Sequence, residues 1–266
     1  MADSLTYVYG IVPAGRDAAG APAGLDDASV REVSEGDLAA LVSTLDGDGY
    51  APERVEALAA DVAWLGPRAA AHDAVAVWAS DRGAVVPLPI FTLFRDDDGV
   101  RAMLRERGAV LRDAVARLSG GREYVVRLFR LDDALERSIA SLSERVAALE
   151  RQAADASPGQ RYLLQRKLES ERKAEVRRVG AEAAREAYDV LGALAIESVA
   201  DELPRMGDAA RGAAVLNAAF LVAPVRYEAF RAAVSDIARR REPQGFRLEF
   251  TGPWPPNHFT REAGRA

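Results

Sequence analysis

A repeating apolar pattern in the middle of this chain constrains its fold more than any other feature. Apolar side chains recur there at intervals of three and four residues: Leu131, Leu135, Ile139, Leu142, Val146, Leu149 and Ala153. This spacing is typical of a helix that packs lengthwise against another helix. Ser157-Pro158-Gly159 interrupts the pattern, and a second, highly charged helix is predicted from about Gln160 to about Val199. Because the connection is short, we expect an antiparallel helical hairpin at about 132–199.

Predicted strands flank this hairpin on both sides. One strand precedes it, and two strands, a helix and a last strand follow it: Tyr124–Leu131, Leu203–Met206, Val215–Ala223, Arg226–Arg241 and Gly245–Thr251. The order strand, helices, strand, strand, helix, strand is typical of the split βαβ, or ferredoxin-like, arrangement. The hairpin would then be an enlargement of the first helical crossover.

The N-terminal part mixes strand and helix patterns before a break at Gly120-Gly121. Strands are predicted at Leu5–Val12, Val30–Val33 and Leu38–Thr44, and the proline-containing run Ala84–Phe94 predicts a strand, a bend and a second short strand. Helices are predicted from Pro52 to Leu65, broken at Gly66-Pro67, then from Arg68 to Trp78, and from Asp96 to Leu118.

These patterns predict an α+β protein of two domains. We expect an N-terminal α+β domain at 1–121 and a C-terminal ferredoxin-like domain at 122–260 that contains the helical hairpin. Residues 261–266 are predicted to be a flexible tail.

Composition argues against several kinds of site. The 266 residues include no cysteine, which excludes disulfides and cysteine-ligated metals, and only two histidines, His72 and His258. The net charge of -6 argues against a dedicated nucleic-acid binder. Because the chain shows no signal peptide and no run approaching ~20 apolar residues, we expect a soluble, cytoplasmic protein without a lipid-membrane segment.

No catalytic, cofactor or metal set emerges from the motifs. Gly10–Asp17 follows a strand as a phosphate loop does, but it lacks the Lys-Ser/Thr pair that such a loop needs. Asp96-Asp97-Asp98 and Asp46-Gly47-Asp48 do not fit a calcium loop and are interpreted as a helix cap and a turn. His72-Asp73 lies on a predicted helix, where a structural histidine is the favoured interpretation.

Aromatic residues beside prolines are the candidates for an interaction surface. The last strand is expected to stop at Gly252. Three prolines follow it and stiffen the backbone, which limits the entropy lost when Trp254 is presented to a partner. Phe91 and Phe94 lie in the proline-bent run. Core packing is the first interpretation of Phe91, Phe94 and Trp254, and a surface for an apolar partner is the second. On that second interpretation the candidate interaction residues are Phe91, Phe94, Trp254 and Pro255.

The second helix of the predicted hairpin is the most charged part of the chain. The segment from Arg161 to Glu186 contains eight Arg or Lys residues and five Glu residues, and the positive and negative charges are interleaved along it. A solvated face is the first interpretation, and docking of an acidic partner is the alternative.

Several segments, in order over nearly the whole chain, resemble the GvpL/GvpF family of gas vesicle proteins. They are Tyr7–Val12, His72 with Val85–Phe94, Gly121–Val126, Ser157–Leu164, Leu216–Val222 and Thr251–Pro256. The chain departs from the family pattern at Pro89-Ile90, where a pair such as Arg-Phe is expected.

The resemblance implies an accessory or minor structural protein of gas vesicle formation, without enzymatic activity. It also implies two domains with ferredoxin-like elements, and as partners the hydrophobic shell protein GvpA and other accessory proteins during vesicle nucleation and assembly. A binder of this kind would mask apolar shell subunits before they polymerise. The alternative is a small-ligand-binding or enzymatic ferredoxin-like protein, which a polar pocket joining His72 to a carboxylate would favour.

Overall fold

A computed structural model of the chain describes residues 4–203 and 212–260. Within these ranges the strands are β1 Ser4–Pro13, β2 Arg31–Glu35, β3 Leu38–Asp46, β4 Val86–Pro87, β5 Leu93–Phe94, β6 Arg122–Arg130, β7 Glu197–Ala200, β8 Ala213–Val222 and β9 Phe246–Trp254. The α-helices are α1 Pro52–Leu58, α2 Val62–Arg82, α3 Asp97–Glu106, α4 Gly108–Leu118, α5 Asp132–Leu142, α6 Glu144–Asp155, α7 Pro158–Gly192 and α8 Tyr227–Arg241. The predicted α+β class is confirmed.

These elements group into two compact units. One contains the residues up to Glu123 together with those from Pro253 onward, and the other contains Tyr124–Gly252. The first unit holds a five-stranded sheet and the second a four-stranded sheet. The division into domains 1–121 and 122–260 stays a prediction, and the predicted tail 261–266 lies outside the described residues.

The sheet of the first unit is organised around β1. Its strand order is β2-β3-β1-β4, and β5 also pairs with β1. β1 runs antiparallel to β3, from Ser4 opposite Asp46 to Pro13 opposite Leu38, with an irregularity between Val8 and Gly10. Every residue from Thr6 to Val12 is buried. A strand covered on both faces needs apolar side chains at successive positions, which explains the continuous run at the start of the sequence.

The sheet of the second unit packs against helices. Its strand order is β7-β8-β6-β9. Val126 and Leu128 of β6 contribute to the apolar core, and four side chains of α8 pack into or against that core: Tyr227, Phe230, Val234 and Ile237. The element order predicted for this region is observed, while the ferredoxin-like interpretation stays a prediction.

The predicted helical hairpin is observed, with α6 and α7 packed together. Val146, Leu149 and Ala153 of the apolar pattern are buried. Ion pairs also join the two helices, from Arg145 to Glu171 at 2.8 Å and from Arg172 to Glu150 at 2.5 Å.

Two boundaries of the hairpin were predicted wrongly. The first helix is interrupted at Ser143, whose extended backbone ends α5 and whose hydroxyl accepts the N–H of Val146 at the start of α6. The second helix ends at Gly192 rather than near Val199, and the chain beyond it enters β7 at Glu197. The strand predicted at Leu203–Met206 lies outside the described residues except for Leu203, which is not in a strand.

Two helices of the first unit also break at other positions than predicted. Asp61 accepts the backbone N–H groups of Ala63 and Trp64, so α2 begins there and continues through Gly66-Pro67 without a break. The helix predicted from Asp96 to Leu118 is two helices, because Arg107 departs from helical geometry with φ -99° and ψ 7°.

The last strand extends further than predicted. β9 passes through Gly252 and Pro253 to Trp254 instead of stopping at Gly252. Since β9 lies at the edge of its sheet, a proline there removes no hydrogen bond that an inner strand would need.

Gly245, in the turn before β9, is expected to tolerate no side chain. It has a φ of 99°, and a Cβ atom there would overlap the backbone nitrogen of Leu135 in α5. We expect Gly245→Ala to lower the free energy of unfolding by at least about 2 kcal/mol in urea denaturation. Gly159→Ala is the control, because a Cβ atom at that helical position meets open space. Equal stabilities of the two variants would contradict the packing of this turn against α5.

Candidate interaction surface

Trp254 is the most exposed of the predicted interaction residues. Its side chain lies at the end of β9 with 46% of its surface exposed, whereas Pro255 and Pro256 are buried directly after it. The backbone then turns sharply, with the N–H of Asn257 donating to the carbonyl of Pro255 at 2.7 Å. Pro255 therefore contributes to the packing that holds Trp254 and not to the exposed surface.

A buried carboxylate fixes the segment that follows Trp254. Glu123 is only 1% exposed, and its two oxygens accept the backbone N–H of His258 at 3.0 Å and the Nδ1–H of the same residue at 2.6 Å. Arg117 donates to the carbonyl of the buried Phe259 at 2.8 Å. A carboxylate out of water must be hydrogen-bonded to be tolerated, so these contacts hold the segment in one conformation.

Phe91 and Phe94 are half-buried within the first unit. The Phe91 ring stacks on Trp64 with centroids 5.3 Å apart, and its backbone has a φ of 65°. The Phe94 ring lies against Gly99 in the first turn of α3. Both side chains therefore have packing roles, and their contact with a partner stays a prediction.

A cluster around Arg68 was not predicted from the sequence. The guanidinium donates to the Tyr50 hydroxyl at 2.9 Å and pairs with Asp26 at 2.7 Å, and it lies 4.5 Å from the centroid of the Trp64 ring. Burial, together with the hydrogen bond to Asp26, raises the pKa of Tyr50 to about 12. These residues line a cavity of about 280 Å³, but their polar groups satisfy one another. Sequence patterns do not predict this cluster, because its members are far apart in sequence.

His72 is buried and bonded to a phenol. Its Nδ1 lies 2.6 Å from the hydroxyl of Tyr7, which also accepts the N–H of Phe91 at 3.4 Å. Burial lowers the pKa of His72 and raises that of Tyr7, so both side chains are neutral near pH 7. The arrangement supports a structural histidine, because the group on Nδ1 is not the carboxylate that acid–base catalysis would use.

The phosphate-loop-like and acidic segments have structural partners. Gly15 donates its N–H to Glu32 at 2.9 Å, Asp96 caps α3 by accepting the N–H of Gly99, and Asp97 pairs with Arg31 at 2.7 Å. That hydrogen bond from Arg31 lowers the pKa of Asp97.

Residues 4–203 and 212–260 lack both a cluster of metal ligands and a membrane-spanning helix. In these ranges no three histidine or carboxylate side chains come together in a group able to hold a metal ion. No helix in the same part of the chain combines the length and the apolar character that crossing a bilayer requires.

The turn between α6 and α7 exposes a second apolar patch. In the first turns of α7, Tyr162 is 61% and Leu163 is 68% exposed. Arg161, Arg166 and Lys167 are also exposed and lie within five residues of them in α7, and no acidic residue lies between positions 156 and 168. Further along α7 the charges pair within the helix, as Glu175, Arg178 and Glu182 do. The solvated-face interpretation therefore suits the later part of α7, whereas its first turns combine apolar and cationic side chains.

The burial of His72 predicts an acid-sensitive fold. Since its pKa lies below the ordinary 6.5, the unfolded chain binds more protons in that window, and stability should fall as pH drops below about 6.5. We expect His72→Gln to reduce this slope by up to about 1.4 kcal/mol per pH unit. Urea denaturation between pH 5 and 7 measures it. An unchanged slope, or a His72 ring signal titrating at or above 6.5 in an NMR spectrum where His258→Gln assigns the other histidine, would contradict the prediction.

Comparison with known proteins supports the resemblance to the GvpL/GvpF family and the observed fold. The family model described as gas vesicle synthesis protein GvpL/GvpF matches residues 5–261. Gas vesicle protein L of Streptomyces sp. (strain CB03234) is 31% identical over 285 aligned positions, which cover 99% of both chains.

Two solved structures share the fold. The crystal structure of gas vesicle protein GvpF from Anabaena sp. PCC7120 has a TM-score of 0.71 at 21% identity and covers 97% of this chain and 98% of that one. GvpF from Microcystis aeruginosa has a TM-score of 0.67 at 19% identity, covering 96% and 98%. With a family model matched over nearly its full length, this chain belongs to the GvpL/GvpF family of gas vesicle proteins.

Proposed function

We propose that this protein binds the hydrophobic shell protein GvpA and other accessory proteins during the nucleation and assembly of gas vesicles. It would do so in the cytoplasm and at the growing vesicle, as a binding protein and not as an enzyme. Membership of the gas vesicle family supports the proposal that the partners are gas vesicle proteins. The exposed apolar side chains of Tyr162 and Leu163 carry the proposal that the activity is binding.

Exposed apolar side chains on rigid backbone are suited to bind another protein. Tyr162 and Leu163 lie on a helix that packs against α6, and Trp254 precedes two buried prolines. Because these backbones are ordered before binding, little conformational entropy is lost when a partner covers the side chains. Tyrosine and tryptophan are also the residues that most often dominate the binding energy of interfaces.

The chemistry of the partner follows from these side chains. A shell subunit exposes apolar surface until it polymerises, and such surface aggregates unless another protein covers it. Tyr162 and Leu163 would contact the apolar surface, while Arg161, Arg166 and Lys167 would lie at the rim of the contact. Acidic groups beside the apolar surface of the partner would complete this contact through rim pairs, which contribute more to the rate of association than to affinity.

Co-expression with the shell protein tests the proposal. We expect the wild-type chain to retain the shell protein on an affinity resin, and the double variant Tyr162→Ser/Leu163→Ser to retain at least about tenfold less. Trp254→Ala tests the exposed end of β9 separately, and we expect it to reduce retention as well.

Val225→Ser provides a matched control, since Val225 is 91% exposed but lies outside both surfaces. This variant should retain the shell protein as the wild type does. Failure of the wild type to retain soluble shell protein would contradict the proposed function. Equal retention by the wild type and the double variant would show that Tyr162 and Leu163 do not contact the shell protein.

A further inference from the structure

A small cavity beside the end of α2 combines cationic side chains with an apolar floor. Its volume is about 170 Å³, close to the roughly 150 Å³ that holds a benzene-sized group in a protein interior. Val12, Leu41 and Ala79 form its apolar part, and Arg16 and Arg82 contribute two guanidinium groups. All of these residues belong to the first unit.

Both arginines have donors to spare. Arg16 gives one hydrogen bond, to the carbonyl of Ala79 at 3.4 Å, and Arg82 gives one, to the carbonyl of Trp78 at 3.3 Å. Within the described part of the chain, neither guanidinium forms an ion pair. Each has five N–H donors, so most of their capacity is unused by the protein.

The third polar group at this cavity is an indole. The Nε1–H of Trp78 is buried and has no hydrogen-bond partner in the described residues, which is a costly arrangement for a donor. The guanidinium of Arg82 lies 4.4 Å from the centroid of the Trp78 ring. Arg82 is exposed, so its side chain can move when a ligand enters.

Close packing places Arg16. The guanidinium lies against Gly83, which has a φ of 141°, so closely that a Cβ atom there would overlap it. Burial lowers the pKa of Arg16, and the charge of Glu32 opposes this effect. Glu32 itself accepts the N–H of Gly15 and does not reach the guanidinium as an ion pair.

We propose that this cavity binds a carboxylate joined to a small aliphatic group, such as the end or an acidic side chain of an apolar polypeptide segment. Arg16 and Arg82 hold the carboxylate beside the indole of Trp78, and the aliphatic group covers Val12, Leu41 and Ala79. A planar carboxylate matches the fork of a guanidinium.

The charges favour a monoanion over a phosphate group. The carboxylate of Asp17 also lines the cavity, and the α2 carbonyls to which the arginines donate carry partial negative charge. Both repel a dianion about twice as strongly as a monoanion, since the repulsion scales with the charge of the ligand. Capping of the end of α2 is the simpler role for Arg16 and Arg82, but it uses one donor of each and leaves the Trp78 N–H unexplained.

Titration of the purified chain alone tests the proposal, without any shell protein. Its three tryptophans give three indole N–H signals in a ¹H–¹⁵N spectrum, and Trp78→Phe assigns the one of interest. We expect 3-methylbutanoate to shift that signal saturably, with a Kd on the order of 1 mM, and its neutral analogue 3-methylbutanamide to leave it unchanged.

Variants separate the cavity from general charge effects. By calorimetry, Arg16→Gln and Arg82→Gln should each weaken binding of 3-methylbutanoate about tenfold or more, whereas the control Arg101→Gln on α3 should bind as the wild type does. Arg82 is exposed, so its variant serves if Arg16→Gln does not fold. N-acetyl-leucine and N-acetyl-glutamyl-leucinamide then show whether a chain end or an acidic side chain is preferred.

Three outcomes would overturn this assignment. They are the absence of a saturable shift with any of the carboxylates, an equal shift with the amide, and inorganic phosphate binding as tightly as the carboxylates. None of them bears on shell-protein binding, so the two proposals fail separately.

Discussion

The burial of Thr6–Val12, the centre of β1, is the constraint on which the first unit depends. A strand covered on both faces must satisfy all of its polar groups internally, and β1 does so with hydroxyls as well as with backbone. The hydroxyl of Tyr7 meets His72 and the N–H of Phe91, and that of Tyr9 donates to Ser43 and accepts the N–H of Leu25. Two phenols of one strand therefore position three other parts of the unit: α2, the turn at Phe91 and the loop at Leu25.

Apolar periodicity predicted the elements that depend on local pattern. The helical hairpin follows from the three- and four-residue spacing of its apolar side chains, because burial selects apolar residues at the repeat of a helix, whereas β1 was predicted from its β-branched and aromatic residues. Helix ends were predicted less well. Ser143 and Asp61 start new helices through single side-chain hydrogen bonds, and such a cap competes with continuation of the helix by only about 1 kcal/mol.

The candidate surface was predictable in part. A proline-rich exit from the last strand indicated Trp254, and the structure exposes it, but the neighbouring Pro255 is buried. The cluster of Arg68 with Tyr50 and Asp26, and the pair of Arg16 with Arg82, join residues distant in sequence. Their identification requires the tertiary structure, because nothing in the local pattern distinguishes an arginine that will be paired from one that will not.

The hydrogen bonds between Glu123 and His258 have a consequence for how the chain folds. These two residues belong to the same compact unit, although the whole of Tyr124–Gly252 separates them in sequence. During synthesis the first unit therefore lacks its closing segment until residues 253–260 have left the ribosome, by which time the intervening unit has already emerged. Until then Glu123 lacks its bond to His258, so this unit acquires its final packing only after the intervening unit has been synthesised.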